Sequence, residues 1–136
     1  MPINQDYVFW YPDEPSVLVM VYAPGTGKDH LTWALIDTGT SNTVFDIQLA
    51  IDLGLDLSDA PRIRLNGAGG ALEGRLALVE VSLLGEQELT VPIEAAFVSR
   101  LGVAEGNLIG LDVLDHVDLS LSHYRRLGYL GPASTS

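Results

Sequence analysis

The sequence contains no cysteine, and this absence removes two common sources of stability. No disulfide can crosslink the chain, and no thiolate can hold a zinc ion or an iron–sulfur cluster. The fold must therefore be stabilised by apolar packing. The 136 residues are 47% hydrophobic, which is enough for a core, and a length in the usual range of about 100–150 residues indicates one domain.

Basic residues are also scarce. Seven Lys and Arg stand against 18 Asp and Glu, which gives a formal net charge of −11. The phosphates of a nucleic acid and the headgroups of an anionic membrane would both repel such a chain. We therefore expect neither nucleic acid nor membrane among its partners.

Long apolar stretches are missing as well. Asp, Glu, Gly or Pro interrupts every hydrophobic run before it reaches the roughly 20 residues that span a bilayer. Residues 1–6 lack the basic and apolar regions of a signal peptide. These features predict a cytoplasmic protein.

The hydrophobic residues that are present recur mainly at strand-like spacing. Residues 16–23 are nearly all apolar and rich in β-branched side chains, and residues 73–84 alternate between two faces. The same signals predict further strands at residues 30–36, 62–66, 88–99 and 116–121. Many short strands with few helices predict an all-β fold, a mainly antiparallel closed β-barrel with one or two short helices.

Two short segments have helical features. Residues 46–53 begin with a candidate N-cap at Asp46 and stop at Gly54, whereas residues 111–115 form little more than a turn. The two ends of the chain are polar or irregular enough to extend from the fold. The expected organisation is an N-terminal arm, one domain and a C-terminal tail, at residues 1–15, 16–130 and 131–136.

Asp37 directly follows the apolar segment 34–36, at a point where the chain must turn. Gly39 lets the backbone bend and brings N–H groups close to the carboxylate. Thr38 and Thr40 add hydroxyl groups that can donate hydrogen bonds. Such a network can hold an acid in one rotamer, but the triplet alone is more typical of a strand-end turn in which Asp37 caps its own loop.

Three motifs in a fixed order bear on that choice. An apolar pair runs into Asp-Thr-Gly-Thr at residues 35–40, a glycine-rich turn lies at 66–70, and Leu-Ile-Gly at 108–110 precedes the helix at 111–115. With these motifs the chain resembles the retropepsin-like (retroviral-type) aspartic proteases over residues 16–129. The segment 41–45, followed by a helix that ends at 53–55, also resembles cellular and particularly bacterial members of that family. The resemblance implies an acid-protease-like β-barrel.

The resemblance also implies an activity, that of an aspartic endopeptidase with Asp37 as the catalytic acid. The active-site loop would comprise Asp37, Thr38, Gly39 and Thr40. The flap that covers the substrate would comprise Gly67, Ala68, Gly69 and Gly70. By resemblance, Thr38 would reach across to a partner loop and Thr40 would place its hydroxyl beside Asp37. Such chemistry uses an activated water and needs no metal or other cofactor.

One Asp-Thr-Gly loop per chain bears on the assembly. The nearest second candidate, at residues 52–54, has Leu53 in place of the hydroxyl residue and lies at an expected helix end. If catalysis needs two aspartates, the second Asp37 must come from another copy of the chain. A two-fold homodimer that binds a polypeptide substrate is therefore implied.

Two other functions compete with this one. The fold could serve as a binding or dimerisation module with little proteolysis, since function resides in sites rather than in folds. The enzyme could also be a processing protease that cuts one cellular protein. Taken alone, the glycine-rich segment at residues 66–70 is more typical of a plain hairpin turn than of a flap.

Other candidate sites are weaker. A phosphate-binding loop at residues 24–29 lacks both the preceding glycine and the hydroxyl residue after Lys28 that the motif requires. The histidines do not have the spacing of a helical zinc site; they are His30, His116 and His123. An acidic cluster could attract a cation, although solvated turns are the commoner cause; it consists of Asp112, Asp115 and Asp118.

Overall fold

The computed structural model describes residues 6–67, 70–99 and 106–133, and this part of the chain consists mainly of strands. Its ten strands are β1 Tyr7–Trp10, β2 Ser16–Ala23, β3 Lys28–Ile36, β4 Val44–Asp46, β5 Arg62–Gly67, β6 Gly70–Leu83, β7 Thr90–Val98, β8 Asn107–Ile109, β9 Val117–Ser122 and β10 Leu127–Pro132. Its two α-helices are α1 Ile47–Asp52 and α2 Leu111–Leu114. The expected all-β class with short helices is confirmed.

Six of the strands close into a barrel. Their order around the ring is β2, β3, β8, β4, β7 and β6, and β6 pairs with β2 to complete it. Antiparallel pairing dominates, whereas β3–β8 and β4–β7 are parallel. Closure leaves none of these six strands with a free edge, and it confirms the predicted barrel.

The alternation seen in the sequence fills the barrel interior. In β2 and β6 every second side chain points inward, and the inward-facing residues are Val17, Val19, Val21, Val79, Val81 and Leu83. Burying one such side chain stabilises the fold by roughly 1.5–3 kcal/mol. Phe45 and Phe97 meet in the same core with ring centroids 5.8 Å apart.

Strand β6 is 14 residues long and serves two parts of the fold. From Gly74 to Ser82 it pairs with β7 inside the barrel. Its first residues pair with β5 and form a hairpin that extends from the barrel, with Asn66 opposite Ala71 and Gly67 opposite Gly70. No side chain fits at Gly74, because a Cβ there would lie 2.7 Å from the Phe97 carbonyl oxygen.

The remaining strands form a separate three-stranded sheet in the order β1, β10, β9. The segment expected as an N-terminal arm contributes β1, in which Tyr7 pairs with Leu130 and Trp10 with Leu127. Strand β10 ends at Pro132, inside the segment expected as a tail. The inner face of this sheet joins the main core through Phe9 and Leu130.

Helix α1 differs in detail from the expectation. Asp46 occupies the N-cap position, but its side chain makes no capping hydrogen bond; its backbone N–H instead donates to Asn107 Oδ1 at 2.9 Å. The predicted stop is confirmed, since Gly54 has φ of +69°, where glycine is favoured. Neither this helix nor any other within the described ranges has the length and apolarity needed to cross a membrane.

Candidate active site

Strand β3 delivers Asp37 to the end of the barrel. Its last residue, Ile36, is buried and pairs in parallel register with Ile109 of β8. The next backbone N–H, that of Asp37, donates to the Ile109 carbonyl oxygen at 2.9 Å. The carboxyl-bearing residue is therefore anchored to two barrel strands at the point where the chain leaves β3.

The Asp37 side chain is fixed by its own loop. Gly39 N–H donates to Asp37 Oδ1 at 2.9 Å, which is the backbone contact that the sequence predicts. A Cβ at position 39 would lie 3.1 Å from the same oxygen, so glycine permits this close approach. Asp37 is half-buried, whereas Thr38 and Gly39 are exposed. The loop therefore presents one oriented carboxylate beside an open surface.

The hydroxyl of Thr40 takes a direction that the resemblance did not imply. It donates to the Asn42 carbonyl oxygen at 3.1 Å, and a hydroxyl has one proton to donate. In this single chain it is thus not directed at the Asp37 carboxylate. It stabilises the turn that leads from the loop at residues 37–40 to β4.

The first turn of helix α2 is hydrogen-bonded to the backbone that follows Asp37. Leu111 N–H donates to the Thr40 carbonyl oxygen at 2.9 Å, and Asp112 N–H donates to that of Ser41 at 3.1 Å. The Asp112 carboxylate in turn accepts from the backbone N–H of Thr43 at 3.0 and 2.9 Å. Neither Asp112 nor Thr43 is predicted from the sequence as part of the Asp37 site; Asp112 appears there only as a member of a cluster that could attract a cation.

One signal could have identified them. Asp112 lies in the short helix that follows the Leu-Ile-Gly motif, and Thr43 lies three residues after the Asp-Thr-Gly-Thr motif, so both are adjacent to residues that carry the resemblance. Their contact joins residues 69 positions apart, and no local pattern reveals a pairing of that kind.

The predicted flap coincides with the β5–β6 hairpin. Gly67 and Gly70 lie at its far end and pair with each other, whereas Ala68 and Gly69 lie outside the described residues. Arg75 holds the base of the hairpin, because its Nη1 donates to the Ala60 carbonyl oxygen at 2.7 Å. The assignment of these glycines to a substrate-covering flap stays a prediction.

A second apolar cluster lies apart from the main core and connects the hairpin to the strands around Asp37. Its buried members are Val44, Ala96 and Val98. Half-buried side chains from the hairpin and from β8 pack against them, namely Ile63, Leu65, Leu72, Leu76 and Leu108. Val44 pairs directly with Leu108. Leu108 also pairs, in parallel register, with Leu35, which lies two residues before Asp37. This cluster, which we call the apolar wall, thus links the hairpin to the strands that flank the Asp37 loop.

The other candidate sites find ordinary structural explanations. Residues 24–27 form the turn of the β2–β3 hairpin and residues 28–29 begin β3; within the turn, Thr26 Oγ1 donates to the Leu53 carbonyl oxygen at 2.7 Å. His30 lies 3.6 Å from Asp52, and Asp115 is exposed. Across the ranges 6–67, 70–99 and 106–133, no three His, Asp or Glu side chains are grouped so that they could hold a metal ion.

A β-barrel that presents an Asp-Thr-Gly loop at the end of one strand, locked to a short helix after Leu-Ile-Gly, is the arrangement of a retropepsin-like aspartic protease. A family model described as aspartyl protease matches residues 23–113, which is 91 of the 136 residues. The chain belongs to the aspartyl protease family.

Solved structures agree with this fold. A retropepsin-like aspartic protease from Rickettsia conorii is similar with a TM-score of 0.61 and 14% identity, over 95% of this chain and 92% of that one. The EIAV protease in complex with the inhibitor HBY-793 is similar with a TM-score of 0.56 and 15% identity, over 79% of this chain and 90% of that one. No curated protein sequence matches the chain.

Proposed function

We propose that the protein is an aspartic endopeptidase that works as a homodimer. The observation that carries this proposal is the Asp37 carboxylate, oriented by Gly39 N–H at 2.9 Å and half-buried at the end of β3. The family to which the chain belongs supports proteolysis as the reaction. The sequence has one Asp-Thr-Gly loop, so the second carboxylate comes from a second copy.

Two Asp37 carboxylates brought within a few ångströms cannot both ionise at low energetic cost, so the pair shares one proton. The ionised member accepts a proton from a water molecule, and the resulting nucleophile attacks the carbonyl carbon of the peptide bond. The protonated member donates to the carbonyl oxygen. When the tetrahedral intermediate collapses, the carbon–nitrogen bond breaks and the amine leaves with a proton.

The exposed side of the active-site loop suits contact with a second copy. Thr38 and Gly39 are exposed, while the opposite side of the loop is held by Ile109 and helix α2. A two-fold axis beside Thr38 brings two identical loops together and places the two Asp37 side chains side by side. Thr38 then contacts the partner loop, the role that the resemblance implies for it.

The apolar wall indicates the class of substrate. Side chains of Ile63, Leu72 and Leu108 are half-buried members of one apolar cluster, and Leu108 pairs with Leu35, two residues before Asp37. A peptide lying between them transfers apolar side chains out of water, which favours binding by about 25 cal/mol per Å² of apolar surface buried. We therefore propose extended polypeptides with apolar residues beside the cleaved bond as substrates.

The experiment is cleavage of a diverse peptide library by the purified protein and by Asp37→Asn. Asn keeps the shape of the side chain but cannot carry the shared proton, so cleavage is expected to fall to background while the fold and dimer persist. Asp59→Asn, an equal change of charge at an exposed position, is the matched control and retains activity.

Two outcomes contradict the proposal. Substantial cleavage by Asp37→Asn removes Asp37 from the mechanism. A wild-type protein that dimerises but cleaves no peptide supports the other function, a binding or dimerisation module with the same fold.

A further inference from the structure

Thr43 and Asp112 form a closed set of hydrogen bonds behind the active-site loop. Thr43 Oγ1 lies 2.7 Å from Asp112 Oδ1 and accepts from the backbone N–H of Gly110 at 3.0 Å. The backbone N–H of Thr43 donates to both carboxylate oxygens of Asp112, at 3.0 and 2.9 Å. Thr43 is fully buried, with 0% exposure, whereas Asp112 is half-buried, so the Thr43 hydroxyl and N–H depend on these protein partners.

The direction of each proton in this set is determined. Gly110 N–H can only donate, so the Thr43 oxygen accepts from it and directs its own single proton to Asp112. Thr43 N–H can also only donate, and it is shared by the two oxygens of Asp112. In every one of these contacts Asp112 therefore acts as the acceptor.

These contacts connect directly to Asp37. Gly110 is the residue after Ile109, whose carbonyl oxygen accepts from Asp37 N–H. Gly110 itself is confined, because a Cβ there would lie 2.7 Å from the carbonyl oxygen of Asn42. A shift of Asp112 relative to Thr43 must therefore move the segment that anchors Asp37.

We propose that Asp112 is a positioning residue for the Asp37 loop, holding the loop and helix α2 in the one arrangement that orients the catalytic carboxylate. This inference rests on the proposed function, because it assigns Asp112 a part in the same reaction. It replaces the interpretation of Asp112 as a member of a cation-attracting cluster, since both of its oxygens are engaged by Thr43.

The test compares four single variants and one double variant. Asp112→Asn keeps the shape but places an amide donor near the donor of Thr43. Thr43→Val removes the hydroxyl and leaves Gly110 N–H without its partner, whereas Thr43→Ser retains the hydroxyl. Asp115→Asn makes the same change of charge on an exposed residue that directly follows helix α2, and it is the matched control.

The kinetic result expected is a separation of kcat from KM. Misplacement of a catalytic group by about 1 Å can reduce the rate by about 10²-fold, so kcat is expected to fall by about 10- to 100-fold in Asp112→Asn and Thr43→Val. KM changes little, because the apolar wall is intact. Thr43→Ser and Asp115→Asn stay near wild type. The kcat of the double variant Asp112→Asn/Thr43→Val is expected to be no lower than that of the less active single variant, because both substitutions disrupt the same set of hydrogen bonds.

A second measurement does not depend on proteolysis. Amide hydrogen exchange at Asp37 and Leu111 is expected to be faster in Asp112→Asn, whereas exchange at Val19 in the barrel stays unchanged. If the wild type cleaves nothing, the proposed function fails and hydrogen exchange alone decides the role of Asp112.

The inference is overturned if Asp112→Asn lowers the melting temperature while kcat at 25 °C is unchanged. It is equally overturned if exchange at Asp37 stays at the wild-type rate. Should Asp112→Asn fail to fold, kcat and amide exchange at Asp37 are measured in Thr43→Val instead. Thr43→Ser, which retains the hydroxyl, is then expected to restore both to near the wild-type values.

Discussion

Gly128 of β10 lies directly opposite Phe9 of β1, and the ring occupies the space that a side chain at position 128 would need. A Cβ at Gly128 would approach three ring carbons of Phe9, within 2.1 Å of the nearest. Phe9 is one of the aromatic residues that join the three-stranded sheet to the core. This contact therefore couples the docking of the terminal strands to the main fold.

Gly128→Ala is expected to destabilise the protein by about 1–3 kcal/mol, the usual range for inserting a methyl group into a well-packed site. Urea denaturation followed by circular dichroism measures this change. Gly25→Ala is the matched control, since a Cβ there meets nothing within 4 Å. Equal stability of the two variants would contradict the crowding of Phe9 and Gly128.

Tyr11→Phe is expected to leave the protein as stable as the wild type or to stabilise it by about 1 kcal/mol, because a buried polar group without a hydrogen bond is unfavourable. The Tyr11 side chain is 1% exposed, and its hydroxyl has no partner among the described residues. Tyr124→Phe, at a residue that is 97% exposed, should change nothing. A clear loss of stability in Tyr11→Phe would reveal an interaction of that hydroxyl.

The titration of Asp56 offers a test in the loop that precedes the hairpin. The Ser58 hydroxyl, followed by the Ser58 backbone N–H, holds the pKa of Asp56 below its ordinary value. A carboxyl with a lowered pKa stabilises the fold above its unfolded-state pKa, and this contribution is lost as the pH falls through the folded-state pKa.

Ser58→Ala is therefore expected to raise the pKa of Asp56 towards its ordinary value and to weaken the pH dependence of stability in the acidic range. A pH titration of the Asp56 carboxyl by NMR measures the shift. Ser122→Ala, far along the chain in β9, should leave that titration unchanged. An unaltered Asp56 titration in Ser58→Ala would show that the hydroxyl is not responsible.

Assembly of the proposed dimer should depend on pH and salt. Each copy carries a formal charge of −11, so association is opposed by repulsion, and the paired Asp37 carboxylates take up a shared proton. The dimer then binds more protons than two monomers, and by linkage it tightens as the pH falls. We expect tighter dimerisation near pH ~5 than near pH ~7.5, with a smaller difference at high salt.

Sedimentation equilibrium at both pH values and at two salt concentrations tests this expectation. Circular dichroism of the same samples shows whether the monomer remains folded. A dimer that weakens on mild acidification while the fold persists would show that the charge argument has the wrong sign.

Much of the barrel is predictable because its signals are local. Alternation in β2 predicts the buried faces of Val17, Val19 and Val21, and Gly54 marks the end of α1. The parallel pairs β3–β8 and β4–β7 are not predictable in this way. Strands β4 and β8 have three residues each, which is too few for a periodic signal, and their places depend on contacts between distant segments.

The same distinction applies to the candidate site. Asp37 and Gly39 are recognisable because the order of three motifs restricts their interpretation, and their mutual hydrogen bond follows from adjacency in the chain. The partner of the Thr40 hydroxyl and the role of Asp112 depend on how helix α2 docks onto the loop. From the sequence alone, Asp112 and its acidic neighbours are typical of an ordinary solvated turn.

The length of β6 has a mechanical consequence for the hairpin. Between Gly70 and Glu73 its backbone pairs only with β5, whereas from Gly74 onward it is also bonded to β7. The outer part of the hairpin is thus joined to the barrel only from Gly74 onward, where contact with Phe97 leaves no room for a side chain. We therefore expect bending of the hairpin to be concentrated near Gly74, so that a force on its outer end acts first on β7, the strand that contains Phe97.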